Sequence, residues 1–280
     1  MPKILSEADV RCFDEQGYLP PRRVLSEAEV SRYRSCLESF ESRYPADTKK
    51  LKTKAHLLCP WVDEIARHPG ILDVYEDLIG ADILCYSMAF RVKKPDGKTF
   101  AGWHQDTAYG PIKPIMIIGA LALSACTVRH GCLSVIPGSH RTGLLPHAES
   151  AEPDSILARG QYITAPFDTS NASDIVLEAG EIGLFNADII HGSQPNTSGE
   201  PRILVLVEMM PACTEQRAHR ESAMLVRGVD QYGNYDVESP AQEELGPREL
   251  QHWQSKVLNR AKNVFAHSRL QVSEAYGGQS

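Results

Sequence analysis

The sequence predicts a mainly β protein with flanking helices, built as an antiparallel sandwich or barrel such as a jelly roll. Three observations support this prediction. The first eighty residues carry helix start signals and apolar residues at helical spacing. From residue 83 onward, short apolar runs are separated by Gly, Pro, Asn and Asp clusters, which is typical of many short strands. The region after residue 211 is polar and ends in one further helical segment.

Two similar segments mark the first helix starts. Ser6 is followed by Asp9, and Ser26 by Glu29, and each pair stands just ahead of an apolar periodic run. This spacing is that of a capping box, in which the two side chains satisfy free amides of the first turn. A third helix is predicted from about residue 61 to 78, with an interruption where Pro and Gly follow each other.

Six apolar runs in the middle of the chain predict the strands. Each is separated from the next by turn-forming residues, which favours an antiparallel sandwich or barrel such as a jelly roll. The predicted strands lie at Ile83–Val92, Ile115–Leu123, Cys132–Ile136, Ile175–Leu177, Ile182–Phe185 and Ile203–Met209.

No segment has the composition of a long linker, so we expect a single domain over residues 1–280. In this interpretation residues 1–80 form a mainly helical support and residues 81–211 form the jelly-roll core. Residues 212–280 form a C-terminal extension, with a helix from about residue 248 to 264.

Composition excludes several classes of function. The formal net charge is −7, and no long basic run offsets it, which argues against a nucleic-acid partner. The 7 cysteines are scattered without CxxC spacing, which favours free thiols in a reducing, cytoplasmic setting. No apolar stretch approaches the roughly 20 residues of a membrane span. A small-molecule substrate is therefore the expected partner.

Potential metal ligands occur in two places. His104 and Asp106 lie two residues apart, so on a strand both side chains project from the same face. His191 follows another apolar run more than eighty residues later. Either histidine alone is more often a hydrogen-bonded core residue than a ligand. Together, two histidines and one carboxylate form the triad that leaves positions open on non-haem Fe(II).

An anion-binding residue is expected beside this triad. Arg202 stands eleven residues after His191, across the turn-like segment 194–199, and opens the next apolar strand. A hairpin of that length returns Arg202 to the neighbourhood of His191. Its planar guanidinium is suited to bidentate binding of a carboxylate.

The order of these motifs resembles the phytanoyl-CoA dioxygenase family of Fe(II)- and 2-oxoglutarate-dependent oxygenases. The resemblance covers about residues 17–211. Segments 54–61 and 225–233 further resemble a bacterial-type branch of small-metabolite hydroxylases within the family. The motifs that carry the family resemblance are His104-Gln-Asp106, Gly131-Cys-Leu-Ser-Val-Ile-Pro-Gly-Ser-His-Arg141, Ala179-Gly-Glu, His191-Gly-Ser-Gln-Pro-Asn and Arg202.

The resemblance implies a double-stranded β-helix, the cupin-like form of the jelly roll, that uses Fe(II), 2-oxoglutarate and O2. It implies that the triad holds the iron and that Arg202 binds the distal carboxylate of 2-oxoglutarate. Gln105, Ser193 and Lys54 are implied to assist co-substrate binding; local hydrogen bonds are the alternative for the first two, and a surface lysine for the third. The iron ligands implied are His104, Asp106 and His191.

The reaction implied is hydroxylation of an unactivated C–H bond of a small metabolite or natural-product intermediate, with succinate and CO2 as co-products. Related halogenases carry a small residue in place of the carboxylate ligand, whereas Asp106 is present here, so hydroxylation is favoured over chlorination.

Two alternatives remain at this stage. A jelly-roll hydrolase that uses Zn²⁺ or Mn²⁺ would need a catalytic acid beside the metal, and Asp188 is the nearest in sequence. Asp188 lies three residues before His191 on a strand, so its side chain is expected to face away from the metal. The other alternative is a non-catalytic ligand-binding protein of the same fold, in which loss of His104 would leave the function unchanged.

Overall fold

The computed structural model describes residues 3–270, with the exception of residues 111, 217 and 267. In this part of the chain most helices precede the sheets. The α-helices are α1 (Glu7–Gln16), α2 (Glu27–Arg43), α3 (Pro60–Ala66), α4 (Pro69–Ile79) and α5 (Pro247–Val264).

The strands form two main sheets and one short two-stranded ribbon. In chain order they are β1 (Tyr18–Arg23), β2 (Ile83–Lys93), β3 (Ala101–His104), β4 (Ile117–Ala122), β5 (Leu133–Val135), β6 (His147–Ala148), β7 (Tyr162–Ile163), β8 (Ser173–Ile175), β9 (Glu181–Asn186), β10 (His191–Ser193), β11 (Arg202–Pro211), β12 (Ser222–Arg227) and β13 (Asp236–Val237).

The larger sheet has the order β1-β9-β4-β11-β2-β12-β13, and the smaller has the order β3-β10-β5-β8. All neighbours in both are antiparallel except β12 and β13. One buried cluster contains side chains from both sheets, and a second lies between the larger sheet and the helices. The predicted class, a mainly β jelly roll with flanking helices, is confirmed.

Both predicted capping boxes are present. Ser6 accepts a hydrogen bond from the Asp9 amide, Ser26 accepts one from the Glu29 amide, and both carboxylates return the contact. The helix predicted from residue 61 to 78 is two helices, α3 and α4. Pro69 has no amide hydrogen to continue the first helix, and its fixed φ suits the first turn of a second.

The larger sheet extends beyond the predicted core at both ends. Strand β1, in a region predicted as helical support, pairs with β9, and β12, in the predicted C-terminal extension, pairs with β2. The prolines of β1 indicated only a break in the sequence. A proline is tolerated here because β1 lies at the edge of the sheet, where a missing amide donor costs little.

No helix in the described residues is both long enough and apolar enough to cross a membrane.

A close approach between α4 and the larger sheet requires glycine at position 119. The Tyr75 hydroxyl donates a 2.6 Å hydrogen bond to the Val207 carbonyl, and it lies directly over Gly119. A Cβ at this position would overlap both the Tyr75 hydroxyl and Ile182. The side chains that meet here are fully buried, so the helix cannot move away without opening the core.

We predict that Gly119→Ala lowers the free energy of unfolding by about 1–3 kcal/mol, because it overpacks this contact. Urea unfolding monitored by circular dichroism measures the change. Gly199→Ala is the matched control, since a Cβ there meets nothing within 4 Å, and it should stay within about 0.5 kcal/mol of the parent. Equal stability of the two variants would contradict the prediction.

Candidate metal and co-substrate site

The three predicted metal ligands come together in the smaller sheet. His104 ends β3, His191 begins β10, and the antiparallel register places these two residues directly opposite each other. Asp106 begins a short helical turn immediately after β3. Strand pairing therefore brings together residues that are far apart in the chain.

The ligand atoms of the triad are close enough to share one metal ion. All three lie within 4.8 Å of one another. The Asp106 carboxylate oxygens lie 3.4 Å from Nε2 of His104 and 3.5 Å from Nε2 of His191. Among the residues described, this is the one cluster of three or more His, Cys, Asp or Glu side chains with that geometry.

Backbone carbonyls orient both histidine rings. Nδ1 of His104 lies 2.7 Å from the Gly102 carbonyl, and Nδ1 of His191 lies 3.1 Å from the Ile189 carbonyl. Each Nδ1 carries the ring proton and donates a hydrogen bond to its carbonyl. Each Nε2 therefore has a free electron pair, and this atom lies on the side of the ring that faces Asp106. This arrangement holds metal-binding histidines in the required tautomer, so the residues fit a divalent ion such as Fe(II).

The charge states of the triad also suit a cation. Burial and the adjacent His104 lower the pKa of His191 to about 4, so this ring is neutral at neutral pH. Burial would by itself raise the pKa of Asp106, but the two histidines hold it at about 2. The cluster therefore presents an ionised carboxylate and a neutral imidazole without first releasing protons to solvent.

A buried guanidinium lies in the same cavity. Arg202 is 1% exposed, and its Nη1 donates a hydrogen bond to the Gly131 carbonyl. Its buried Nε has no hydrogen-bond partner. No carboxylate in the described residues forms an ion pair with it. Burying such a charge is costly unless an anion meets it.

Nearby thiols do not supply that anion. Burial raises the pKa of Cys126 to about 11 and that of Cys132 to about 12, so both remain neutral at neutral pH. A second cation, Lys93, stands opposite Arg202 across β2 and β11. Burial and the Arg202 charge lower the pKa of Lys93 to about 7. Two cations without a protein counterion make this end of the cavity an anion receptor.

Ser193 lines the cavity at this receptor. Its hydroxyl accepts a 2.7 Å hydrogen bond from the Lys93 ammonium, which also binds the carbonyls of Ser193 and Gln194. The sequence implied a co-substrate role for Ser193, and the structure places it where that role is possible.

Gln105 is placed differently from that expectation. Its amide nitrogen donates to the carbonyls of Gly143 and Asp188, and its amide oxygen accepts from the Leu145 amide. The side chain is fully buried, and Gln105 is not among the described residues that line the cavity. The structure assigns Gln105 to fastening the loop at residues 143–145, because its polar atoms are already occupied.

Lys54 is also turned away from the cavity. Its ammonium forms a fully buried ion pair with Glu238 at 2.6 Å and donates to the carbonyls of Tyr86 and Ser222. His56 binds the other oxygen of Glu238 at 2.9 Å. Burial opposes ionisation of Glu238, yet Lys54 and His56 hold its pKa at about 2. The lysine ties the helical region to the residues after β12 and has no free donor for a co-substrate.

The rest of the cavity lining is largely apolar and contains a few polar or charged side chains. It encloses about 930 Å³ of space between atoms, part of it open to solvent. Tyr86, Arg91, Gln161, Glu208 and Arg260 supply polar groups. The apolar lining residues are Ala101, Ile112, Met116, Ile118, Leu133, Ile156, Leu157, Ala158, Phe185, Leu204, Leu206 and Val264.

The acid required by the hydrolase alternative is missing from the described lining. Asp188 is not part of the cavity wall, and its carboxylate accepts a 2.5 Å hydrogen bond from Thr107. The acids that do line the cavity are Asp106, within the triad, and Glu208, which is paired with Arg260 at 2.9 Å. Neither carboxylate is available to activate a water.

The sequence interpretation missed Lys93 and Arg91. Both lie on the last residues of β2, two positions apart, so they share the inner face of the sheet. The predicted strand stopped at residue 92. Two cations at a spacing of two residues, directly after a long apolar run, were the available signal. An exposed strand end gives the same pattern, which is why the sequence alone did not distinguish the two.

Comparison with known proteins agrees with this geometry. Residues 13–204 match the model of the family described as phytanoyl-CoA dioxygenase. A probable phytanoyl-CoA dioxygenase of Caenorhabditis elegans is 28% identical over 223 residues, covering 69% of this chain and 71% of that protein. The L-proline trans-4-hydroxylase of Streptomyces griseoviridis is 26% identical over 231 residues, covering 72% and 85% respectively.

Solved structures share the fold. The apo form of the non-heme monooxygenase ThoJ superposes with a TM-score of 0.82 at 26% identity, covering 92% of this chain and 97% of that one. CytC3 with Fe(II) and alpha-ketoglutarate superposes with a TM-score of 0.65 at 20% identity, covering 86% and 95%. The second similarity concerns the fold alone.

We predict that His191→Ala weakens Mn²⁺ binding by at least about 100-fold, because the triad loses one of three ligands. Electron paramagnetic resonance of free Mn²⁺ during titration measures the affinity. His219→Ala removes an exposed histidine and serves as the control, with unchanged affinity. Similar Mn²⁺ binding by parent and His191→Ala would place the metal elsewhere.

We predict that Lys54→Met destabilises the protein by about 3–5 kcal/mol, because Glu238 is left buried without its main countercharge. The double variant Lys54→Met/Glu238→Gln should recover much of this loss in urea unfolding. In each of these two variants, provided that it folds, the dissociation constant of 2-oxoglutarate should stay within about twofold of the parent value. A large selective loss of 2-oxoglutarate binding would restore Lys54 to the co-substrate site.

Proposed function

The chain belongs to the phytanoyl-CoA dioxygenase family, and from this premise we propose that His104, Asp106 and His191 hold Fe(II) while Arg202 binds 2-oxoglutarate. The protein is an Fe(II)- and 2-oxoglutarate-dependent non-haem dioxygenase. The observation that carries the residue assignment is the triad in one cavity with a buried guanidinium that lacks a protein carboxylate.

Bound Fe(II), with 2-oxoglutarate and O2, supplies the oxidising chemistry by which this family hydroxylates a substrate C–H bond and releases succinate and CO2. The chain contributes the coordination geometry. Two histidine side chains, each fixed by a backbone carbonyl, and one carboxylate would hold the ion at the cavity, and a three-ligand set of this kind would leave coordination positions free. Open positions are what binding of a co-substrate and O2 requires.

Arg202 binds the distal carboxylate of 2-oxoglutarate. Its Nε lacks a partner, and a carboxylate can accept from two nitrogens of one guanidinium at once. Lys93, the strand partner of Arg202, adds positive charge nearby and donates a hydrogen bond to the Ser193 hydroxyl. Because the Lys93 pKa is about 7, arrival of the carboxylate favours its protonated form and strengthens the site near neutral pH.

The prime substrate is a small metabolite or natural-product intermediate. The cavity has a mostly apolar lining with a few polar groups, as small-molecule sites do, and 2-oxoglutarate takes part of it. Relatives of similar coverage are named for small substrates, among them the methylphosphonate hydroxylase of Gimesia maris and the ectoine dioxygenase of Nocardia farcinica. An apolar wall around the triad suits the aliphatic carbon that is oxidised.

A reducing, cytoplasmic setting is part of the proposal. All 7 cysteines are free, and four of them are buried. Burial raises the pKa of Cys59 and Cys85, so these thiols are poor nucleophiles and resist exchange.

The co-substrate assignment predicts a selective defect in Arg202→Gln. The dissociation constant of 2-oxoglutarate should rise by about 100-fold, equivalent to about 2.7 kcal/mol, because a charge-assisted pair is lost. The measurement is an anaerobic titration of the Fe(II)-loaded protein, following the visible charge-transfer band of the chelated keto acid. Mn²⁺ affinity should be unchanged, since Arg202 is not a metal ligand.

Arg129→Gln is the matched control, because Arg129 is an exposed arginine on a surface turn. It should bind 2-oxoglutarate as the parent does. Absence of the band in folded, iron-loaded parent protein would overturn the function proposed here, and an unchanged affinity in Arg202→Gln would overturn the role of Arg202.

A further inference from the structure

The charged groups of the cavity leave one cation without a counterion once the co-substrate is bound. The described lining carries three guanidinium groups, on Arg91, Arg202 and Arg260, and two carboxylates, on Asp106 and Glu208. Fe(II) and the 2-oxoglutarate dianion cancel each other. The lining groups of the loaded cavity therefore keep one net positive charge, to which the adjacent Lys93 adds when it is protonated, so an anionic substrate is favoured.

That positive charge lies on Arg91. Glu208 is the partner of Arg260, and 2-oxoglutarate is the proposed partner of Arg202. Arg91 donates from Nη1 to the carbonyls of Lys52 and Phe90, which are neutral acceptors. In the described residues it forms no ion pair, and its side chain is half-buried at the cavity wall.

The strand register places Arg91 beside the proposed co-substrate receptor. Arg91 stands opposite Leu204, one step along β2 and β11 from the pair formed by Lys93 and Arg202. One such step, two residues, is about 7 Å along a strand. Its charge contributes to lowering the pKa of both Asp106 and Arg202, so it lies within electrostatic reach of the metal triad and of the co-substrate receptor.

The cavity lining offers a second polar contact. Gln161 is 3% exposed, lines the cavity, and its buried amide oxygen has no hydrogen-bond partner. A buried amide without a partner is costly unless a ligand completes it. In the same lining, Leu204, Leu206 and Ile118 supply an apolar surface for the body of a ligand.

We propose that Arg91 binds an anionic group of the prime substrate, so that the substrate class is a small organic anion with an aliphatic body. This inference rests on the proposed function, because it assumes that Arg202 is occupied by 2-oxoglutarate. The anionic group lies beside Arg91, a hydrogen-bonding group contacts Gln161, and the aliphatic carbon faces the triad. A neutral substrate would leave the positive charge of Arg91 uncompensated.

The test uses butyrate and its neutral isostere butyramide as probes. Protein is loaded with Mn²⁺ and saturating 2-oxoglutarate, and relaxation of the probes' methyl protons by the bound Mn²⁺ is measured by NMR. We expect enhancement at least five times larger for butyrate than for butyramide in the parent. Arg91→Gln should remove the difference, Arg91→Lys should keep part of it, and Arg129→Gln should keep all of it.

Three results would overturn the inference alone. Butyrate and butyramide could relax equally in the parent, or the difference could persist in Arg91→Gln. Alternatively, Arg91→Gln could raise the dissociation constant of 2-oxoglutarate more than threefold, which would place Arg91 in the co-substrate site. Failure of the parent to bind Mn²⁺ or 2-oxoglutarate, measured before the probes are added, would instead overturn the proposed function and this inference with it.

Discussion

The antiparallel pairing of β2 with β11 is the constraint on which the rest of the structure depends. It is the longest ladder of the larger sheet, and it runs from the pair Arg202 and Lys93 to the pair Pro211 and Ile83. Because side chains alternate between faces, this register sends Arg202, Leu204, Leu206 and Glu208 to the cavity. A slip of one residue would turn the guanidinium toward the helices and the apolar residues of the outer core toward the metal site.

The strand pairing buries positive charge, and this burial destabilises the protein when no anion is bound. Arg202 and Lys93 are both almost fully buried, and neither has a carboxylate partner in the described residues. An apolar pair at these positions would fold more easily, so stability alone does not explain them. In the proposed site, binding of the 2-oxoglutarate dianion would remove the cost, and preorganised positive charge would thereby be converted into affinity for the co-substrate. Buried Lys54 shows the contrast, since Glu238 satisfies it within the protein.

Much of this organisation can be predicted from the sequence, and the limits have physical causes. The residues His104, Asp106, His191 and Arg202 can be selected because their types and spacing are rare in combination, and the structure brings them into one cavity. Spacing does not reveal which neighbouring polar atoms are already used. Unlike Arg202, Lys54 has an internal acid as its partner, 184 positions along the chain at Glu238. That distinction depends on tertiary pairing.

For a related reason, local sequence patterns do not predict the strand at the edge of the larger sheet or the short strands that carry the two histidines. The strand from residue 18 to 23 contains two adjacent prolines, and only its place at the sheet edge makes them acceptable. The strands that carry His104 and His191 have 4 and 3 residues. Strands this short show no measurable alternation of apolar and polar residues. The sequence therefore marks them by their potential metal ligands and not by their periodicity.

The two ends of the cavity are built from different parts of the chain. The triad and Arg202 lie within residues 13–204, the segment that matches the family model, whereas Glu208, Arg260 and Val264 lie beyond it. Glu208 stands six residues from Arg202 along β11, about 20 Å at the rise of a strand. The guanidinium of Arg260, brought by α5, also lies 4.4 Å from the centre of the Tyr86 ring. Changes in α5 are therefore expected to reshape the part of the cavity near Glu208 without moving the proposed metal ligands.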